Sequence, residues 1–63
     1  FNYMVEGTIT EVIDGGIYKV NIFDVIETLR PMNNDNYQVG DIVYIVVWNN
    51  NYSDKTIVCK ATR

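Results

Sequence analysis

Histidine is absent from this 63-residue chain, and cysteine and tryptophan occur once each, as Cys59 and Trp48. With no imidazole and one thiol, the common zinc sites and histidine-based acid–base arrangements are excluded. One cysteine closes no internal disulfide, so this is not a disulfide-stapled miniprotein. Proline occurs only at Pro31, and there is no Ser/Pro-rich linker, internal repeat or charge block. No apolar run approaches the roughly 18 residues of a membrane-spanning helix, and no basic-then-apolar leader is visible. The chain opens on Phe1 rather than methionine, which reads as a processed product or a piece of something longer. Bases are also few. Lys19, Arg30, Lys55, Lys60 and Arg63 stand singly against Glu6, Glu11, Asp14, Asp24, Glu27, Asp35, Asp41 and Asp54, for a net charge of −3. Nucleic-acid affinity rests largely on clustered Lys and Arg, so this balance disfavours such partners, and anionic membranes with them.

What is present is a set of apolar runs rich in Val, Ile, Thr and Tyr, the residues that suit a pleated surface. Turn formers break them at Asp14-Gly15-Gly16, Pro31 to Asn36, Gly40-Asp41 and Asn49 to Asp54. Five strands are expected in a single domain over residues 1–63. The first, Tyr3 to Ile13, turns Val5, Gly7 and Ile9 one way and Glu6, Thr8 and Thr10 the other. Val12 then falls out of phase, which a bulge near Thr10-Glu11 would absorb. Gly7 inside a strand suits a tight bend or a close backbone approach. The second strand, Ile17 to Phe23, points Tyr18, Val20 and Ile22 inward. The third, Val25 to Arg30, stops at Pro31. A solvated loop over Pro31 to Gln38 leads to a fourth strand, Ile42 to Trp48, and a fifth, Thr56 to Ala61. No segment holds a 3.6-residue period, so the expected fold is an all-β, small five-stranded Greek-key barrel.

The fourth strand carries seven consecutive apolar residues, Ile42 to Trp48. Val43, Ile45 and Val47 fill the interior, which leaves Ile42, Tyr44, Val46 and Trp48 facing outward. Continuous apolar runs belong to strands covered on both faces, and a small barrel has no second layer. The outward four are therefore expected to contact another protein. Partial cover by Phe1, or by Tyr37 from the long loop, is the alternative.

No catalytic arrangement is found, and no cofactor or metal is expected. Cys59, between Val58 and Lys60, reads as a small buried hydrophobe. The acids fall on strand exteriors and turns. The asparagine clusters Asn33 to Asn36 and Asn49 to Asn51 offer oxygen ligands of the calcium kind, but without EF-hand spacing they read as turns. Asn51-Tyr52-Ser53 matches the N-glycosylation acceptor pattern at three positions only. The aromatics Tyr18, Phe23, Tyr44, Trp48 and Tyr52 admit a second use, as a stacking platform for single-stranded RNA or DNA. In that reading Tyr18, Lys19, Arg30, Trp48 and Tyr52 are the nucleic-acid-binding candidates, with Lys55 and Lys60 as further phosphate contacts. The net charge favours protein contact instead.

Two resemblances follow from particular segments. Glu6-Gly7-Thr8-Ile9-Thr10-Glu11-Val12, Tyr18-Lys19-Val20-Asn21-Ile22 and Gly40-Asp41-Ile42-Val43-Tyr44-Ile45 together resemble an oligonucleotide/oligosaccharide-binding (OB) fold. Their pattern is similar to bacterial translation initiation factor one and related RNA-binding ribosomal repeats. Pro31 to Asn36 stands where those RNA binders carry basic residues. The C-terminal part, Tyr37-Gln38-Val39-Gly40-Asp41-Ile42-Val43-Tyr44, the asparagine tip and Ser53-Asp54-Lys55-Thr56-Ile57-Val58, resembles small OB domains of tailed-bacteriophage tail and baseplate proteins. That likeness implies a soluble structural module, in a virion or the cytoplasm, packed against other subunits as a homo-oligomer or in a larger assembly.

Overall fold

The structure, a computed structural model, describes residues 1–62; Arg63, one of the five bases, lies outside them. Alternation over Tyr3–Ile13 makes the long strand β1, and the Asp14-Gly15-Gly16 turn folds it onto β2 (Ile17–Ile22). Gly15 and Gly16 both take positive φ, +89° and +76°, a backbone that a residue without Cβ adopts at little cost. A two-residue turn, Phe23-Asp24, leads into β3 (Val25–Leu29). After the 31–41 connection come β4 (Ile42–Val47), a short 3-10 turn at Trp48–Asn50 and β5 (Lys55–Lys60). Every ladder is antiparallel, and the strand order is β3-β2-β1-β4-β5.

β1 serves two neighbours. Tyr3 to Thr8 pair with β4, and Thr8 to Ile13 pair with β2. The register with β2 shifts between Ile9 and Glu11, leaving Thr10 as the extra residue. Its hydroxyl donates to the Lys19 carbonyl at 3.2 Å, which ties the bulge down. Gly7 shows why the strand carries a glycine. A Cβ there would lie 2.5 Å from Val20 Cγ1 and 2.9 Å from Ile45 Cδ1. The neighbouring strands' side chains occupy the space that a methyl would need.

One core draws on all five strands: Ile9, Tyr18, Val20, Ile22, Leu29, Val43, Ile45 and Ile57, joined by Tyr37 from the connection. The inward triplets of β2 and β4 are as the alternation predicts. The 31–38 connection is solvated except at Tyr37, which differs from the expected loop. Its ring meets Tyr18 edge-on at 5.2 Å, and its N–H donates to the Tyr18 hydroxyl at 3.1 Å. That hydroxyl in turn donates to the Asp35 carbonyl at 3.3 Å. A buried phenol tip needs a partner, and here the connection supplies both.

β3 and β5 are the edges of the sheet. Just past β3, the Ile57 N–H donates to the Arg30 carbonyl (3.0 Å) and the Met32 N–H donates to the Ile57 carbonyl (2.7 Å). Pro31 sits between those two bonds, so its missing donor costs nothing in this parallel bridge. No ladder joins β3 to β5 themselves. The described sheet is five antiparallel strands with one bridge between its edges, not a closed ring of ladders.

Candidate interaction surface

Cross-strand pairing decides which side chains share the outer face of β4. Thr8 lies beside Ile42, Tyr44 lies between Glu6 and Cys59, and Val46 lies between Met4 and Thr56. Ile42 and Met4 are exposed, Tyr44 and Trp48 are half-buried, and Val46 is only 7% exposed. The open stripe of four expected from the sequence is therefore narrower. Val46 sits between Met4 and Thr56, and the Trp48 indole N–H donates to the Thr56 hydroxyl at 2.8 Å, folding the large ring back over β5. Trp48 has left the strand for the 3-10 turn. Neither expected cover is used: Tyr37 is in the core, and Phe1 is 85% exposed.

Cys59 is another correction. It is exposed, opposite Tyr44. Ile57 pairs with Ile45 and Cys59 with the adjacent Tyr44, so Val58 is an extra residue and the strand's facing flips after it.

Further large apolar side chains are exposed away from β4. Phe23 is 74% exposed, and Val25 and Ile26 on the same hairpin are more than half exposed. Phe23 and Asp24 take φ of 51° and 65°, the positive values of a type I′ hairpin turn. Asparagine and glycine usually fill such turns, and a bulky side chain at positive φ is an outlier. Ile26 pairs with Asn21, Asn21 with Thr8 and Thr8 with Ile42, so one outward row runs across four strands with an isoleucine at each end. Beside it is an open groove of about 440 Å³ lined by Glu6, Gly7, Thr8, Asn21, Phe23, Asp24 and Ile42. Two carboxylates and no base line it. The sequence held one signal of this surface: Phe23 is out of phase with the inward set Tyr18, Val20 and Ile22.

The nucleic-acid-binding candidates are not brought together. Tyr18, at 2% exposure with its ring against Tyr37, offers no face to a base, so its place on a stacking platform is corrected. Lys55 is corrected too. Its side chain is fully enclosed, its ammonium lies 2.6 Å from Glu27 Oε1 and it stands 3.5 Å over the Tyr52 ring. It faces inward because it pairs with Val47 on the core side of β5. Tyr52 is thereby engaged as well. Lys19 pairs with Glu11 at 3.8 Å and Lys60 with Asp41 at 3.5 Å. Arg30 is exposed, on the far side of the Pro31 bridge.

One ionisable group is strongly perturbed. Burial, with the Asp35 carboxylate beside it, pushes the Tyr37 hydroxyl up to about 12. That hydroxyl donates to Asp35 Oδ2 at 3.4 Å. Among the described residues, no three His, Cys, Asp or Glu side chains cluster as a metal site would require, and no helix is long and apolar enough to cross a membrane. The chain matches no protein-family model, no curated protein and no solved structure.

Proposed function

We propose that this chain is a non-enzymatic structural module whose work is protein–protein contact, on an OB-type Greek-key barrel. The observation that carries this reading is the open groove that exposed Phe23 and Ile42 share, beside the outward row that ends in exposed Ile26. Apolar side chains gathered at one place on a small domain mark an interaction surface more often than chance exposure does. Phe23 adds weight, because strained backbone persists where the side chain it presents is useful. The contact set is then Ile42, Tyr44 and Trp48 from the fourth strand and its turn, extended to Phe23 and Ile26.

The barrel reading draws support from the two sheet edges, which meet at Pro31–Ile57 and again through Lys55–Glu27. Asp24 lines the groove next to Phe23, so the complementary partner surface carries a basic side chain beside aliphatic ones. The partner is a protein subunit, either a second copy or a component of a larger assembly. A virion tail or baseplate is the setting suggested by the resemblance of residues 37–58.

Sedimentation velocity and light scattering from micromolar to millimolar chain, with and without added salt, test the reading. We expect concentration-dependent association that Phe23→Asn weakens, and binding of a hydrophobic-patch dye that the same change reduces. A chain that stays monomeric throughout and binds no dye overturns it.

A further inference from the structure

We infer that the hollow between the β1–β2 turn and the 30–36 segment is a binding site for a small phosphate dianion, held by Arg30 and the amides of Gly15 and Gly16. The hollow is about 230 Å³ and is lined by Gly15, Gly16, Arg30, Pro31, Asn34, Asp35 and Asn36. It shares no residue with the groove beside Phe23 and Ile42.

Three observations converge on an anion. Lys19, Lys55 and Lys60 are each paired with a carboxylate, whereas Arg30 has no ion pair among the described residues. Its guanidinium is the side chain best matched to phosphate, because its planar fork donates two parallel hydrogen bonds. Opposite it, Gly15 and Gly16 both hold left-handed backbone, with nothing within 4 Å of where a Cβ would stand. Their N–H groups make no backbone hydrogen bond among the described residues. Successive free amides in a turn form a concave donor surface for anions. Asn34 and Asn36 add neutral amide donors to the wall.

The site is also built in advance. Arg30 is pinned by the Ile57 N–H on its carbonyl, and Met32 by its own N–H on the Ile57 carbonyl. The same wall is pinned further along, where Tyr18 donates to the Asp35 carbonyl and where Tyr37 donates to Tyr18. A ligand therefore meets one wall, the 30–36 segment, already ordered, which lowers the entropic cost of binding. The one opposing charge, Asp35, accepts from the Tyr37 hydroxyl through Oδ2. It sets a limit on affinity rather than occupying Arg30.

The test is a titration of the uniformly 15N-labelled chain with inorganic phosphate and, separately, with glycerol phosphate, against sodium chloride at matched ionic strength. We expect saturable shifts at the Gly15 and Gly16 amides and at Arg30 Nε, with little change at Phe23 or Ile42. Arg30→Gln should weaken binding by roughly tenfold or more, and its exposed side chain leaves the fold intact. Asp35→Asn should tighten binding by about 2- to 5-fold, since it removes an opposing charge near the surface. Tighter binding of glycerol phosphate than of free phosphate assigns a phosphorylated small molecule, and the reverse order assigns the free ion. Shifts that sodium chloride reproduces, or that Arg30→Gln leaves unchanged, overturn the site.

Discussion

Tyr37 condenses much of the physics at the scale of single residues. It comes from a loop that looks hydrophilic, yet it enters the core because its own N–H finds the Tyr18 hydroxyl and its ring packs edge-on against Tyr18. Its hydroxyl holds its proton up to about 12, against 10.0 for an ordinary tyrosine, through burial first and then the charge of Asp35. The unfolded chain loses that proton near 10, and the folded chain only near 12. Stability from this group is therefore complete below pH 10 and disappears as the pH rises through 12. Denaturant unfolding of the natural chain and of Tyr37→Phe, from about pH 9 upward, should show the difference between them narrowing by about 3 kcal/mol. Parallel curves would show that Tyr37 does not titrate with folding. Gly7 was legible in advance, because a glycine in mid-strand implies a close approach. Cys59 was not, since a single extra residue at Val58 reversed its facing.

Among the elements, the seam between β3 and β5 is the feature that strand-by-strand reading does not supply. Lys55 opens β5, where a turn-flanking lysine is ordinarily solvated. Here its whole side chain is enclosed and its charge is met by Glu27 from the opposite edge and by the Tyr52 ring. A buried pair of this kind is weak evidence of net stabilisation, but losing one member strands the other. Glu27→Gln should therefore cost about 3 kcal/mol of unfolding free energy, somewhat discounted because Glu27 keeps contact with water. The double change Glu27→Leu with Lys55→Met should recover most of that loss. Denaturant unfolding of the three proteins checks it. A Glu27→Gln protein as stable as the natural one would show that the ammonium is satisfied without its carboxylate.

At the scale of the whole molecule, small size sets the terms. A chain of this length has a core that supplies no more than about 3–5 kcal/mol when neither disulfide nor metal assists it. On the proposed reading, partner contacts would then matter to stability as well as to function. Phe23→Asn separates the two contributions. Asparagine tolerates the backbone at φ 51°, so the isolated domain should gain about 1 kcal/mol, or about 4–8 °C in melting temperature. The assembled form should melt lower, because the exposed ring is lost from the contact. Melts of both forms at matched concentration, with the midpoint tracked against dilution, give the comparison. Equal gains in both forms would remove Phe23 from the interface.

The five strands, the bulge near Thr10, the glycine hairpin and the inward triplets of β2 and β4 could all be read from the chain. Each depends on period-two alternation and turn chemistry, which are properties of neighbours in sequence. The positions that the chain concealed depend on neighbours that the fold, not the strand pattern, brings together: the burial of Tyr37, the enclosure of Lys55 and the folding back of Trp48 onto Thr56. A tyrosine or lysine is amphipathic, so its own sequence context leaves either end free to be buried. Which end is buried was settled by what the rest of the fold placed beside it: Tyr18 for the one, Glu27 and Tyr52 for the other.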